Sequence, residues 1–316
     1  MDIIGIDISK EWFDCCAYQR GHSKRFTNAV EAFASFSKWA GPDIHVVMEA
    51  TGAYYLQLAS WLDEQGVKVS VINPLVIRRY GQMQLSRAKT DRKDAELIAR
   101  YGHQQSPPAW NPPSKACQAL KQLFSLREGL LKQQTMLANQ QEAFSQNPAD
   151  PLVGQLLQTQ REQLSGALQE LNKRLAELAR IHWKDTLAQL LTIPGIGEKT
   201  AIMLLCITDG FTKFDDAGKL ASYVGICPRI WESGSSVKGR GSICKIGCGH
   251  LRKLLYMCSW SAKQWNPACG AMYQRMKQKG KPEKVIKVAI AHKLLRQAFA
   301  VATKQQPFNE NLAMPA

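Results

Sequence analysis

The sequence predicts an α/β domain followed by a mostly helical region, and three observations carry that expectation. Short apolar strands open the chain within residues 2–28, before any helical spacing begins. Leucines then recur at three- and four-residue steps through residues 114–185. The charge is lopsided: residues 1–110 hold 13 Lys and Arg against 12 Asp and Glu, residues 111–185 hold 9 against 7, and residues 186–316 hold 19 against 7. With 316 residues, 45% of them hydrophobic, the chain can bury a core without disulfide staples. A net charge of +15, nearly all of it C-terminal, points to a polyanion bound at that end, with nucleic acid the first suspect. The predicted domains are 1–113, 114–185 and 186–316.

Asp2 to Ser9 reads as an apolar strand, Trp12 to Gln19 as a second and Ser23 to Asn28 as a third, with Arg20-Gly21-His22 as the hairpin turn. Val30 to Trp39 has helical spacing, Ile44 to Met48 is a buried strand, and Tyr54 to Glu64 is a helix ending at Gly66. Lys68 to Ile72 is a strand stopped by Asn73-Pro74, and a further helix opens at Asp91. Three strands before the first helix is the order of a ribonuclease H-like domain, whereas an ordinary doubly wound fold alternates from the start. The Pro-rich stretch at 106–113 closes this part. Leu120, Leu123, Leu126 and Leu130, then Leu164, Leu168, Leu171, Leu175 and Leu178, flank an Asn147-Pro148-Ala149-Asp150-Pro151 break. That pattern predicts an antiparallel helical hairpin whose long apolar seam serves packing or oligomerisation.

Asp7 lies inside the first strand among Ile4, Ile6 and Ile8, where a charge needs a partner. Glu49 ends the fourth apolar strand, and Asp91 and Asp94 share one face of the helix they open. Singly, each has an ordinary explanation as a strand-end acid or a helix cap. In a ribonuclease H-like arrangement the first strand, fourth strand and last helix meet at one edge, which gathers all four. Carboxylates without His or Cys suit Mg²⁺, one ion or two, and two such ions clamp the attacking and leaving oxygens of phosphoryl transfer.

In the basic region, Ile193-Pro194-Gly195-Ile196-Gly197-Glu198-Lys199 reads as a helix-hairpin-helix turn presenting backbone N–H groups to phosphate through Gly195, Gly197 and Lys199, although a tight turn alone also accounts for its glycines. The segment 223–241 reads as a loop of small polar residues with Lys238 and Arg240 beside Ser233, Ser235 and Ser236, any of which is a candidate nucleophile. Lys245, Arg252 and Lys253 continue a phosphate track with salt-dependent affinity. No Gly-x-Ser-x-Gly elbow or Ser-His-Asp pattern supports a hydrolase triad. Nine scattered cysteines form no Cys-x-x-Cys pair, and Cys244, Cys248 and His250 make an incomplete zinc set. No apolar run of 18 residues occurs, and the first residues read as a strand rather than a signal peptide, so a cytoplasmic protein with no membrane partner is expected.

Six ordered segments resemble the DEDD transposases of the insertion sequence 110 family. They are Ile4-Gly5-Ile6-Asp7, Met48-Glu49-Ala50-Thr51-Gly52, Val71-Ile72-Asn73-Pro74, Lys89-Thr90-Asp91-Arg92-Lys93-Asp94-Ala95, Ile193-Pro194-Gly195-Ile196-Gly197 and Glu232-Ser233-Gly234-Ser235-Ser236. The resemblance implies a RuvC-like domain joined through a coiled coil to a C-terminal transposase domain. It implies that Asp7, Glu49, Asp91 and Asp94 hold Mg²⁺, with Asp94 favoured over Asp91 as a direct ligand. It further implies that Ser233 attacks a DNA phosphate and becomes covalently attached, and that a structured bridge RNA pairs with donor and target DNA. The composite site then forms between protomers of a dimer or tetramer acting on a bacterial nucleoid, and exchange passes through a Holliday-junction-like intermediate. One departure is Ile243-Cys244-Lys245, where the family commonly has serine; a thiol is the weaker hydrogen-bonding group. Rival readings are a RuvC-like junction endonuclease using water, an actin-like sugar kinase and a non-catalytic nucleic-acid-binding protein. The kinase lacks a second Gly-rich phosphate loop, and the binding protein leaves four acids without a purpose.

Overall fold

The computed structural model describes residues 1–85, 90–146, 150–229 and 242–310, with the backbone of 232–233 and 237–238. Two compact units result, Met1–Pro112 and Pro113–Ala316. In the first, β1 (Asp2–Ile8), β2 (Trp12–Ala17) and β3 (His22–Thr27) form an antiparallel meander. After α1 (Val30–Ala40), β4 (Ile44–Glu49) lies parallel to β1; after α2 (Tyr55–Glu64), β5 (Lys68–Ile72) lies parallel to β4. The sheet order is β3-β2-β1-β4-β5.

Side-chain alternation divides the sheet into two faces. Ile4, Ile6 and Ile8 of β1 pack with Phe13, Phe33, Phe36, Leu58 and Leu62 in the core shared with α1 and α2. Ile3 faces the other way, joining Val47, Ile77 and Ile98 beneath α3 (Pro74–Met83) and α4 (Asp91–Gln105). The Asn73-Pro74 pair that stops β5 also starts α3: the Asn73 side chain accepts from Leu75 N at 2.9 Å, and Pro74 occupies the first turn, where no N–H is needed. This helix was absent from the sequence expectation.

The second unit opens with α5 (Lys115–Ser145) and α6 (Pro151–Leu191), the two expected halves of the helical hairpin; residues 147–149 of its break lie outside the described residues. Asp150 caps α6 by accepting from Leu152 N, and a non-helical Trp183 breaks the helix two residues before the predicted boundary at 185. Leu120, Phe124, Leu175 and Leu187 of the hairpin share one core with α7 (Glu198–Thr208), α8 (Ala217–Val224), α9 (Gly249–Trp265) and α11 (Glu283–Lys304); α10 (Pro267–Gln278) lies between the last two in sequence. Between α8 and α9 the expected loop is instead a β-ribbon: β6 (Pro228–Arg229) pairs β9 (Ser242–Ile243), and β7 (Glu232–Ser233) pairs β8 (Val237–Lys238). Its base is zipped by Cys244 N to Cys227 O and Lys245 N to Gly225 O. Strands of two residues are too short to show an alternation in the sequence, and the pairing rests on backbone hydrogen bonds.

Candidate active site

The site begins with a glycine. Gly5, Asp7 and Ile3 share the α4-facing side of β1, and a Cβ on Gly5 would lie 2.2 Å from both Ala95 O and Ala99 N. Only glycine lets α4 rest directly on the strand at that point. Asp94 immediately precedes Ala95, so this contact brings the first turn of α4, with Asp91 and Asp94, to the end of β1 that carries Asp7. Parallel pairing of β1 with β4 adds Glu49 beside it, and Thr51 Oγ1 donates to Glu49 Oε1 at 3.3 Å. Thr90 sets the start of α4, its Oγ1 accepting from Lys93 N at 3.3 Å. Asp7, Glu49, Asp91 and Asp94 thus line one cleft, together with Asn73, Arg78 and Gln82.

Asp7 records the consequence. Burial, then the charges of Asp94, Asp91, Glu49 and Asp14, push its pKa from 3.8 up to about 6. The order of the charges makes Asp94 the stronger of the helical pair on Asp7. Asp91, 60% exposed, instead accepts from Arg25 Nη2 at 3.0 Å, and Arg25 also grips both oxygens of Asp14. Among the described residues, no three His, Cys, Asp or Glu side chains are drawn together into a formed metal-binding group. The four acids nonetheless share a cleft. The cleft's donor set, carboxylates with a hydroxyl and an amide and no His or Cys, is the kind a hard divalent cation takes. Asp14, Arg25 and Arg78 were not anticipated. Strand alternation contained a signal for the first two, because Asp7, Asp14 and Arg25 are successive cross-strand partners.

The basic region separates into different uses. Gly195 has φ of 102° and would meet Ala262 Cβ at 2.6 Å if it carried a side chain, so it serves the turn and the packing against α9. Gly197 caps α7 in open space, while Glu198 already occupies the first turn and pairs with Arg180 at 2.6 Å. Burial and the neighbouring Arg127 lower the pKa of Lys199. Lys245 and Lys253 are exposed. Arg252 is half-buried and donates from Nη1 to Val224 O at 2.6 Å, an anchor at the end of α8. Ser233 and Lys238 are placed by backbone only, as the second residues of β7 and β8. Ser235, Ser236 and Arg240 lie outside the described residues. Cys244 and Cys248 are free thiols, and His250 Nε2 sits 2.7 Å from Glu128 Oε1.

Known proteins resemble both units. Residues 4–144 match a transposase model of the DEDD, IS110 type, and residues 187–274 match the transposase IS116/IS110/IS902 family. The pilin gene-inverting proteins of Moraxella lacunata and Moraxella bovis are each 35% identical over 98% of this chain and 98% of their own length. The transposase for insertion sequence element IS1328 of Yersinia enterocolitica is 25% identical over the same shares. With full-length relatives at this identity and a match in each unit, the chain belongs to the IS116/IS110/IS902 family and is a DNA transposase/recombinase, an enzyme that cuts and rejoins DNA.

Proposed function

We propose that this transposase cleaves and exchanges DNA strands with a ribonuclease H/RuvC-like Mg²⁺ site and a serine nucleophile, directed by a bridge RNA that pairs with donor and target DNA. The observation that carries the reading is the single cleft lined by Asp7, Glu49, Asp91 and Asp94, where Asp7 is strained enough to hold its proton to about pH 6. A sheet order of β3-β2-β1-β4-β5, with acids at the ends of β1 and β4 and on α4, supports the fold assignment. These four carboxylates would hold Mg²⁺, one or two ions, which when bound stabilises the charge that develops on a phosphate oxygen. Asn73 and Arg78, which line the same cleft, offer an amide and a cation to the DNA backbone.

Ser233 supplies the nucleophile in this reading. Its Oγ–P bond forms as a phosphodiester P–O bond breaks; the serine proton passes to the departing deoxyribose oxygen, and the DNA is left on the protein as a phosphoserine ester. Reversal by the partner strand's hydroxyl restores Ser233 and seals the new junction. The acids and Ser233 belong to different compact units, which suits a site composed from two protomers. Leu126, Leu152 and Leu156 of the helical hairpin are more than half exposed, an apolar surface suited to a dimer that assembles to a tetramer. The cationic excess of residues 186–316 supports phosphate binding through Lys199, Lys238, Arg240, Lys245 and Lys253, with Gly195 and Gly197 shaping the hairpin. The motif resemblance carries the guide RNA, and base pairing would then take sequence choice out of the protein. The site of action is the bacterial nucleoid.

The test is incubation with Mg²⁺, the element's flanking noncoding RNA and labelled donor and target DNA, followed by a denaturing gel. The expected product is a slow, protease-sensitive DNA species that needs both the RNA and Ser233 and disappears in Ser233→Ala. Clean nicks that persist in Ser233→Ala would make water the nucleophile and the protein a junction endonuclease.

A further inference from the structure

Asp7, Asp14 and Arg25 stand in a row across β1, β2 and β3 on the face that α4 covers, each directly opposite the next. Neighbours so placed have Cβ atoms about 5 Å apart. Arg25 forks onto Asp14, with Nε 3.1 Å from each oxygen and Nη2 2.7 Å from Oδ2; the same Nη2 reaches Asp91 Oδ2 at 3.0 Å. Its guanidinium also lies 5.0 Å from the Trp12 ring centroid, which braces it against the sheet. The carboxylate of Asp14 is only 13% exposed and requires a cation, so Arg25 is fixed there first and takes Asp91 second.

We infer that Arg25 is a positioning residue of the acidic cleft: it holds Asp91 against Asp14, so that Asp91 joins a divalent cation only when Arg25 releases it. A guanidinium between two carboxylates occupies the role a metal ion would otherwise take. The inference rests on the carboxylate reading of the cleft. It goes further by assigning the state of Asp91 to a residue on the far hairpin strand.

Mn²⁺ titration of the full-length protein without nucleic acid, followed by the electron paramagnetic resonance of free Mn²⁺, tests both levels. Arg25→Gln is expected to tighten Mn²⁺ binding roughly fivefold, the scale of an exposed ion pair, or to add a second site. Asp91→Asn placed on top of Arg25→Gln should remove that gain, which marks the effect as passing through Asp91. Lys24→Gln, the same loss of charge on the opposite face of β3, should change nothing. Arg25→Lys keeps the charge without the fork and should give a partial gain, and it serves if thermal melting shows Arg25→Gln unfolded. Unchanged or weaker binding in folded Arg25→Gln or Arg25→Lys, with Asp7→Asn still weakening the wild type about tenfold, would overturn the inference alone. Binding that ignores Asp7→Asn would overturn the carboxylate reading and the inference with it.

Discussion

An aspartate among isoleucines is tolerated only if something compensates its charge, and Asp7 shows how incomplete the compensation is within the protein itself. Its folded pKa of about 6 lies above the ordinary 3.8, so the native state binds that proton more tightly than the unfolded chain does. The cost of ionising Asp7 is therefore absent below about pH 4, grows as the pH rises to 6 and is constant above it. Asp7→Asn is expected to raise the melting temperature of the metal-free protein by a few degrees at pH 7.5, to leave it unchanged near pH 4, and to abolish DNA cleavage. Equal melting temperatures at pH 7.5 would remove the case for a strained carboxylate. His45 acts oppositely in the same window. Burial, then Lys68, lowers its pKa to about 4, so the stability it lends as a neutral ring above pH 6.5 is lost as the pH falls toward 4. Its Nε2 meets Ser70 Oγ at 2.8 Å, and Ser70 in turn donates to Pro108 O at 2.6 Å, fastening the Pro-rich stretch onto β5. Asp7 was legible because its apolar neighbours Ile4, Ile6 and Ile8 are adjacent in sequence. His45 carried no such signal, since its hydrogen-bond partner Ser70 lies 25 positions away.

At the scale of elements, the placement of the acids depends on how closely α4 approaches β1. Gly5→Ala would drive a methyl group into backbone atoms of Ala95 and Ala99, which cannot yield as a side-chain tip can. The expected cost is about 1–3 kcal/mol of stability, as for other overpacked cores. Because the strain lifts the first turn of α4, DNA cleavage should fall further than the lost folded fraction explains. Thermal melting and a cleavage assay on the same preparation separate the two effects, and a variant that melts lower yet cleaves at the full rate per folded molecule would detach site geometry from this contact. The strands, the carboxylate-bearing helix and the leucine-rich hairpin were all visible as periodicity. The third helix and the β-ribbon were not. Asn73-Pro74 is at once a strand stop and a helix start, and the ribbon's two-residue strands are too short for an alternation to show in the sequence.

For the whole molecule, charge and apolar surface assign separate tasks to separate regions. Thirteen cations balance twelve acids up to residue 110, so the carboxylate cleft is not offset by a general basic field there, whereas 19 cations against 7 acids give residues 186–316 their attraction for phosphate. Between them, the hairpin leaves Leu126 54% exposed on α5. Leu126→Glu is expected to weaken self-association by about 2 kcal/mol, the loss typical of an interface anchor, while the helical circular dichroism is retained. Sedimentation velocity would show a shift toward monomer together with lost recombination; an unchanged sedimentation profile would clear this leucine of an oligomer role. The sequence by itself determined the α/β-then-α order, the four acids, the hairpin and the C-terminal charge, because each is written in local spacing or simple composition. Only the tertiary structure decided that Asp91 is taken by Arg25, that Asp14 belongs to the same row, that Arg78 lines the cleft of the acids and that Arg252 is an anchor rather than an open phosphate contact. Those roles depend on which groups meet across strands and helices far apart in sequence. A charged side chain's function is set by the partner that reaches it first.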